Sequence, residues 1–207
     1  MSLSVPQAAG APAHAAGPTP ARTALLVIDV QASFRARPYW TDADLPAFLE
    51  AVNTLVQGFT ASGLPIVRVL HSDGPEQADN PFALASGRVA PLDGLQPFAP
   101  ALEILKHRHS ALVGTGLGAW LHQQGIARVV VCGIRTEQCC ETTTRHASDE
   151  GWEVDYVPAA TLTFDMTTPD GRRLSAAEIV ERTCTVLAGR FATLCTPAQA
   201  LQRAEAA

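Results

Sequence analysis

The sequence predicts an α/β fold, a three-layer α/β/α, Rossmann-like open sheet of about six mostly parallel strands. Three observations lead there. Several short runs, Thr23 to Ile28 and Arg128 to Cys132 among them, are almost continuously apolar, the pattern of strands covered on both faces. Between the runs lie segments whose apolar residues recur every three or four positions, as on one face of a helix. The two kinds of segment alternate, which implies right-handed crossovers and a parallel sheet.

Each element can be justified in turn. Residues 1–21 are mostly Ala, Pro, Gly and Ser, too poor in large apolar side chains to offset their ordering entropy. They are expected to be a disordered N-terminal segment, leaving 22–207 as a single domain. The first strand, Thr23 to Ile28, ends in the polar Asp29-Val30-Gln31. Leu45, Phe48, Leu49, Val52, Leu55, Val56 and Phe59 have helical spacing; Pro46 is tolerable in the first turn, and Gly63 and Pro65 stop the helix.

Pro65 to Leu70 reads as a second strand, and Ser72 to about Pro100 has no clear period. A loop that long in a compact domain is usually functional, and it could shape a pocket. Leu102 to Leu105 reads as a short third strand, followed by a helix marked by Leu117, Trp120 and Leu121 and closed by Gly125. The fourth strand, Arg128 to Cys132, is broken at Gly133. A helix from about Thr136 to Asp149 follows, then a fifth strand, Trp152 to Val157. Ser175 and Glu178 form a capping box opening a helix to about Leu187. Phe191 to Leu194 reads as the sixth strand, followed by a short tail.

Composition excludes several functions. A net charge of −5 with no Lys/Arg block provides no field for a nucleic-acid backbone. No stretch reaches the roughly 18 apolar residues of a membrane span, and no secretion signal opens the chain. The five cysteines, 132, 139, 140, 184 and 195, form an odd set without a CxxC pair, so a disulfide framework is not expected and a reducing, cytoplasmic location is. Cys132, Cys184 and Cys195 read as small buried hydrophobes.

In open parallel sheets, ligands bind beyond the carboxyl ends of the strands, near the point where strand order reverses. The residues there are Asp29 and Gln31, His71 and Asp73, Lys106 to Ser110, and Gly133 to Cys140. A carboxylate, an ammonium and a thiol thus each follow a strand end. Cys139 in the first turn of a helix, near Lys106, would have a lowered pKa. Asp29 could take the thiol proton and return it to a leaving amine. The bend at 133–136 could aim backbone N–H groups at a developing oxyanion.

These residues resemble the isochorismatase-like hydrolases, whose members include nicotinamidases, N-carbamoylsarcosine amidases and ureide or biuret amidohydrolases. The resemblance runs from about Thr23 to Leu201, through LLVIDVQASF at 25–34, KHRHSALVGTGL at 106–117, GIRTEQCCETTTRHASDEG at 133–151 and RTCTVLAGRFATL at 182–194. It implies Asp29 as general base and acid, Lys106 as its charged partner and Cys139 as nucleophile. It also implies a cis peptide between Ile134 and Arg135, with the N–H groups of Arg135 and Cys139 as oxyanion hole. The G-x-x-T-x-x-C spacing puts Cys139 at the nucleophile position and Cys140 in the helix packing.

The implied activity is hydrolysis of a small amide, ureide or lactam C–N bond through a thioester. The alternatives are hydrolysis of an isochorismate-type vinyl ether, or a non-catalytic binding protein that has kept the fold. Relatives that bind zinc carry Asp-x-His-x-His after the second strand. Here the sequence is Leu70-His71-Ser72-Asp73-Gly74, so no metal or other cofactor is expected; His107 and His109 could form a pair on one strand face but lack a third ligand. Gln31, Phe34, Trp40, Arg135 and Phe164 are candidate pocket residues, with core packing as the alternative for the aromatics and a surface ion pair for Arg135. The partners expected are a small-molecule substrate and, from the resemblance, further copies of the chain in a dimer or tetramer.

Overall fold

The computed structural model describes residues 22–206; the segment expected to be disordered lies outside the described residues. Six strands form one parallel sheet: β1 (Arg22–Ile28), β2 (Ile66–His71), β3 (Leu102–Lys106), β4 (Ile126–Ile134), β5 (Glu153–Leu162) and β8 (Thr193–Leu194), in the order β3-β2-β1-β4-β5-β8. A separate antiparallel hairpin, β6 (Met166–Thr167) with β7 (Arg173–Leu174), follows β5. The helices are α1 (Leu45–Ala61), α2 (Leu117–Gln123), α3 (Glu141–Asp149), α4 (Ala176–Leu187) and α5 (Pro197–Glu205).

Strand alternation divides the interior into two cores. Leu25 and Val27 of β1, with Val130, Cys132 and Ile134 of β4, pack against Phe48, Val52, Leu55 and Phe59 of α1 and Ala200 and Ala204 of α5. Ala24, Leu26 and Ile28, with Val129 and Val131, pack on the other face against Leu117 and Leu121 of α2, Ala147 of α3 and Leu187 of α4. A side-chain period of two on a strand covered by helices on both sides requires this division, and explains why the runs show no polar alternation.

Several elements differ from the sequence expectation. Gly133 does not end β4: it pairs with Ile28, and a Cβ there would lie 1.9 Å from the Ile28 carbonyl oxygen. The glycine permits a close approach of two central strands at φ 138°, so the breaker reading fails. Pro158 does not end β5 either, because the register jumps from Val131↔Tyr156 to Gly133↔Thr161 and leaves the proline in an irregular stretch with no ladder bond to make. β8 is only Thr193–Leu194, shorter than the 191–194 run. The expected tail is instead helix α5, opened by a Thr196–Gln199 capping box and Pro197 in its first turn. The Ser175–Glu178 capping box of α4 is present as expected.

The switch in strand order lies between β1 and β4, because the chain builds β2 and β3 on one side of β1 and β4, β5 and β8 on the other. The crevice above that switch opens between the end of β1 and the turn after β4.

Candidate active site

Asp29, Lys106 and Cys139 converge at this crevice. Asp29 is the residue after β1 and adopts φ 53°, a left-handed conformation uncommon outside glycine. Its N–H donates to Val69 O (2.8 Å), and its carbonyl accepts from Gln31 N–H (2.8 Å), so the backbone doubles back at the strand end. Lys106 closes β3, in register with His71 of β2. Cys139 lies in a five-residue π-helical turn, Thr136–Cys140, between β4 and α3.

Asp29 and Lys106 are both fully buried, and Nζ of Lys106 is 2.8 Å from Oδ2 of Asp29. The same nitrogen reaches the Cys139 sulfur at 3.3 Å, the Arg108 carbonyl at 3.1 Å and Nδ1 of His71 at 3.0 Å. Four acceptors therefore surround an ammonium with three N–H groups. Burial, and then the Lys106 charge, push the His71 pKa down to about 4. His71 is neutral, and Nδ1 facing an ammonium places its proton on Nε2.

The titrations of the three groups are interlocked. Burial raises the Asp29 carboxyl above its usual range by more than Lys106 lowers it. Burial also opposes the charge on Lys106, but Asp29 and then Cys139 hold its pKa above the ordinary lysine value. The Cys139 thiol is pushed up to about 12, first by burial and then by the Asp29 charge, with Lys106 opposing. The lowered thiol pKa expected from a helix start is thus not found: the turn bearing Cys139 is π-helical, α3 begins two residues later, and burial outweighs the ammonium.

The Ile134–Arg135 peptide is cis. Arg135 O accepts from the N–H groups of Gln138 and Cys140, both at 3.2 Å, which folds the turn back on itself. The turn is anchored from beneath: Tyr156 Oη donates to Thr136 O (3.1 Å), Thr136 and Thr161 hydroxyls are 2.9 Å apart, and Thr163 donates to Glu137 (2.6 Å). Behind it, the buried Glu141 carboxylate ties α3 to α4 through Arg182 and Thr183, and pairs with Arg145 one turn along α3. Cys140 is fully buried in the core on the α2–α4 face, consistent with a structural thiol, as Cys132 is on the other; Cys184 is only half-buried.

Asp29 and Cys139 line the inner end of a cavity of about 290 Å³. Phe34, Tyr39 and Phe82 form its walls, while the exposed Arg37, Asp73 and His109 stand around the opening. The 72–100 loop contributes Asp73, Gly74, Pro75, Asn80 and Phe82, and so shapes the cavity. It is held to the chain leaving β1 by Ala32 N–H to Ala90 O (2.9 Å), Leu92 N–H to Val30 O (3.0 Å) and Ser33 Oγ to Arg88 O (2.9 Å).

Of the five pocket candidates, Phe34 lines the cavity and four do not. Gln31 is fully buried, its amide wholly engaged by the His71 backbone and Ser33. Arg135 forms a buried ion pair with Glu137 (2.9 Å) and stacks on Tyr39, its guanidinium carbon 4.8 Å from the ring centre. Phe164 is core, in contact with Tyr39 and Trp40, and Trp40 donates its indole N–H to Asp42 (2.8 Å). Position beside a strand-end loop did not discriminate which side chains turn inward. His107 and His109 do not share a strand face, because β3 ends at Lys106: His107 bonds Ser72 O (2.9 Å) while His109 lines the cavity. Arg37, Tyr39, Phe82 and Gln138 carried no spacing signal that could have identified them.

The Isochorismatase domain family matches residues 23–191. An uncharacterized isochorismatase family protein of Bacillus subtilis is 26% identical over 183 residues, 86% of this chain and 94% of its own. A streptothricin hydrolase of Streptomyces noursei is 27% identical over 148 residues, 72% of this chain and 57% of its own. A crystal structure of an isochorismatase from Pseudomonas putida superimposes with a TM-score of 0.74 at 27% identity, covering 88% of this chain and 93% of that one.

Proposed function

Because this chain belongs to the isochorismatase family, we propose that it hydrolyses a C–N bond of a small amide, ureide or lactam through a thioester on Cys139. The observation that carries this reading is the buried Asp29–Lys106–Cys139 group, with one ammonium 2.8 Å from the carboxylate and 3.3 Å from the sulfur, at the inner end of the cavity. The streptothricin hydrolase relative, by its name, is a hydrolase, which agrees with the reaction class.

A thiol at about 12 is no standing thiolate. The proton therefore leaves as the sulfur attacks the carbonyl carbon, and Asp29, ionised beside Lys106, accepts it. The raised Asp29 pKa narrows the gap between base and thiol and makes the transfer less uphill. As negative charge grows on sulfur, one Lys106 N–H can turn towards it, since four acceptors already compete for three protons. The N–H groups of Arg135 and Cys139 hold the oxyanion of the tetrahedral adduct. Collapse breaks the C–N bond as Asp29 returns the proton to the departing nitrogen. Water, deprotonated by Asp29, then attacks the thioester and releases the acid and the free thiol.

The test is ammonia or amine release from a panel of small amides, ureides and lactams by the wild type, Cys139→Ala and Cys140→Ala. Activity lost in Cys139→Ala and kept in Cys140→Ala is expected; activity unaffected by Cys139→Ala overturns the mechanism.

A further inference from the structure

The geometry points to Arg37 as the residue that selects the substrate: a carboxylate on the substrate, remote from the bond that breaks, docks on its guanidinium at the cavity mouth. The inference rests on the hydrolase reading for its location and deepens it by naming a substrate class.

Arg37 is held in place at both levels of structure. Its N–H donates to Phe34 O (2.9 Å), closing the short 3-10 turn Ala32–Ala36, and its carbonyl accepts from Trp40 N–H (3.0 Å). Its guanidinium carbon lies 5.8 Å from the ring centres of both Tyr39 and Phe82. Both rings are cavity walls, so the charge is braced between aromatic faces without being neutralised. Arg35, two residues earlier, is paired with Asp42 at 3.3 Å, whereas among the described residues no carboxylate lies within ion-pair distance of Arg37. The ring contacts consume none of its five N–H donors.

The carboxylate at the opening, Asp73, is not among the ion-pair partners of any arginine in the described residues; its Oδ1 accepts from the Gly74 N–H (2.8 Å), and its charge bears on His71. Arg135, the other arginine near Tyr39, is buried and ion-paired with Glu137, and does not line the cavity. A ligand reaching from Cys139 to Arg37 runs between Phe34, Tyr39 and Phe82, which suits a flat or apolar spacer. The class is therefore a small amide bearing a carboxylate at the end opposite the amide, with an aromatic or short apolar bridge.

Three amides of one shape and different charge test this: 4-carbamoylbenzoate, benzamide and 4-(aminomethyl)benzamide, with the wild type, Arg37→Gln and Asp73→Asn. Kinetics of ammonia release are followed, and calorimetric binding of each compound is measured alongside. In the wild type the anionic amide is expected to have the highest kcat/KM and the tightest binding. Arg37→Gln should remove that advantage, by roughly ten- to a hundredfold, the worth of one charge-assisted hydrogen bond, through KM with kcat nearly unchanged. Asp73→Asn should leave the preference in place. Equal handling of the three compounds, a preference for the cationic amide, or an anionic preference that survives Arg37→Gln overturns the inference. Anion-selective binding lost in Arg37→Gln, without hydrolysis of any panel amide, would count against the hydrolytic reading while upholding this one.

Discussion

The Asp29 carboxylate and the Lys106 ammonium face each other at 2.8 Å with no solvent access to either side chain. Attraction between two buried charges seldom exceeds the penalty for removing both from water, so such a pair is poor evidence of stability by itself. Its geometry is informative in another way. The carboxylate also raises the thiol pKa, and the ammonium also contacts the sulfur, so each member of the pair already interacts with the atom that would react.

Replacing Lys106 with Met should leave Asp29 as an unpaired buried carboxylate, which will take up a proton and cease to be a base. Loss of one partner of such a pair costs about 3–5 kcal/mol of stability, and catalysis should fall at least a hundredfold, below detection in many assays. The double variant Asp29→Asn, Lys106→Met should recover much of the unfolding midpoint, because no buried charge is left uncompensated, yet remain inactive. Recovery of activity together with stability would contradict the base role of Asp29.

The thiol titration gives a prediction with a definite sign. With Cys139 near 12, the deprotonated fraction rises with pH throughout the accessible range and amounts to roughly one in ten thousand at pH 8. Iodoacetamide alkylation of Cys139, read by mass spectrometry of the digested protein, should therefore accelerate steadily from pH 7 to 10 without levelling off. A plateau below pH 8.5 would mean that the resting site holds a thiolate. For turnover the sign is set by Asp29: as its pKa lies above the usual carboxyl range, the acidic limb of kcat/KM should fall at higher pH than an ordinary aspartate would dictate.

Gly133→Ala should be severe although it adds one methyl group. That carbon would lie 1.9 Å from Ile28 O, so β1 and β4 must separate at the point where they present Asp29 and the Cys139 turn. A destabilisation of about 3 kcal/mol with loss of activity is expected, from thermal unfolding and amide hydrolysis. Gly118→Ala is the control, since it lies within α2 and a Cβ there meets only ordinary contacts, the nearest at 3.6 Å; its unfolding midpoint should not fall.

How much of this was legible in the chain depends on the kind of signal. Apolar periodicity reports burial on one face or two, and it located α1 and β1 closely, as the Ser175–Glu178 capping pattern located the start of α4. It ended β4 at Gly133 and β5 at Val157 too early, because a glycine or proline also fits where two backbones approach closely or a ladder is irregular, and only the partner strand decides which applies. Helix α5 was readable in Thr196-Pro197-Ala198-Gln199 but is rich in alanine and short of bulky apolar residues. At the site, Asp29, Lys106 and Cys139 were visible because strand ends in a parallel sheet converge. Which neighbouring side chains turn inward was not, since Arg135 and Arg37 both reach Tyr39, and they are told apart by burial and by the Glu137 partner that Arg135 has. The thiol pKa was misjudged because burial is a property of the assembled site.

Gln31 separates a substrate contact from a positioning role. It sits beside Asp29 in the chain, yet its Nε2 donates to His71 O (2.9 Å) and Ser33 Oγ (2.9 Å), and its Oε1 accepts from His71 N–H (2.7 Å). The amide thus fixes the backbone of the residue whose Nδ1 accepts from Lys106. Gln31→Leu fills nearly the same space but leaves a buried N–H and C=O unpartnered, at about 1–3 kcal/mol each. The unfolding midpoint should drop, and kcat should fall as His71 and Lys106 lose their alignment with Asp29 and Cys139. KM should hardly change, because Gln31 does not line the cavity. A raised KM at unchanged thermal stability would instead place Gln31 against the substrate, and the clamp on His71 would then be incidental to catalysis.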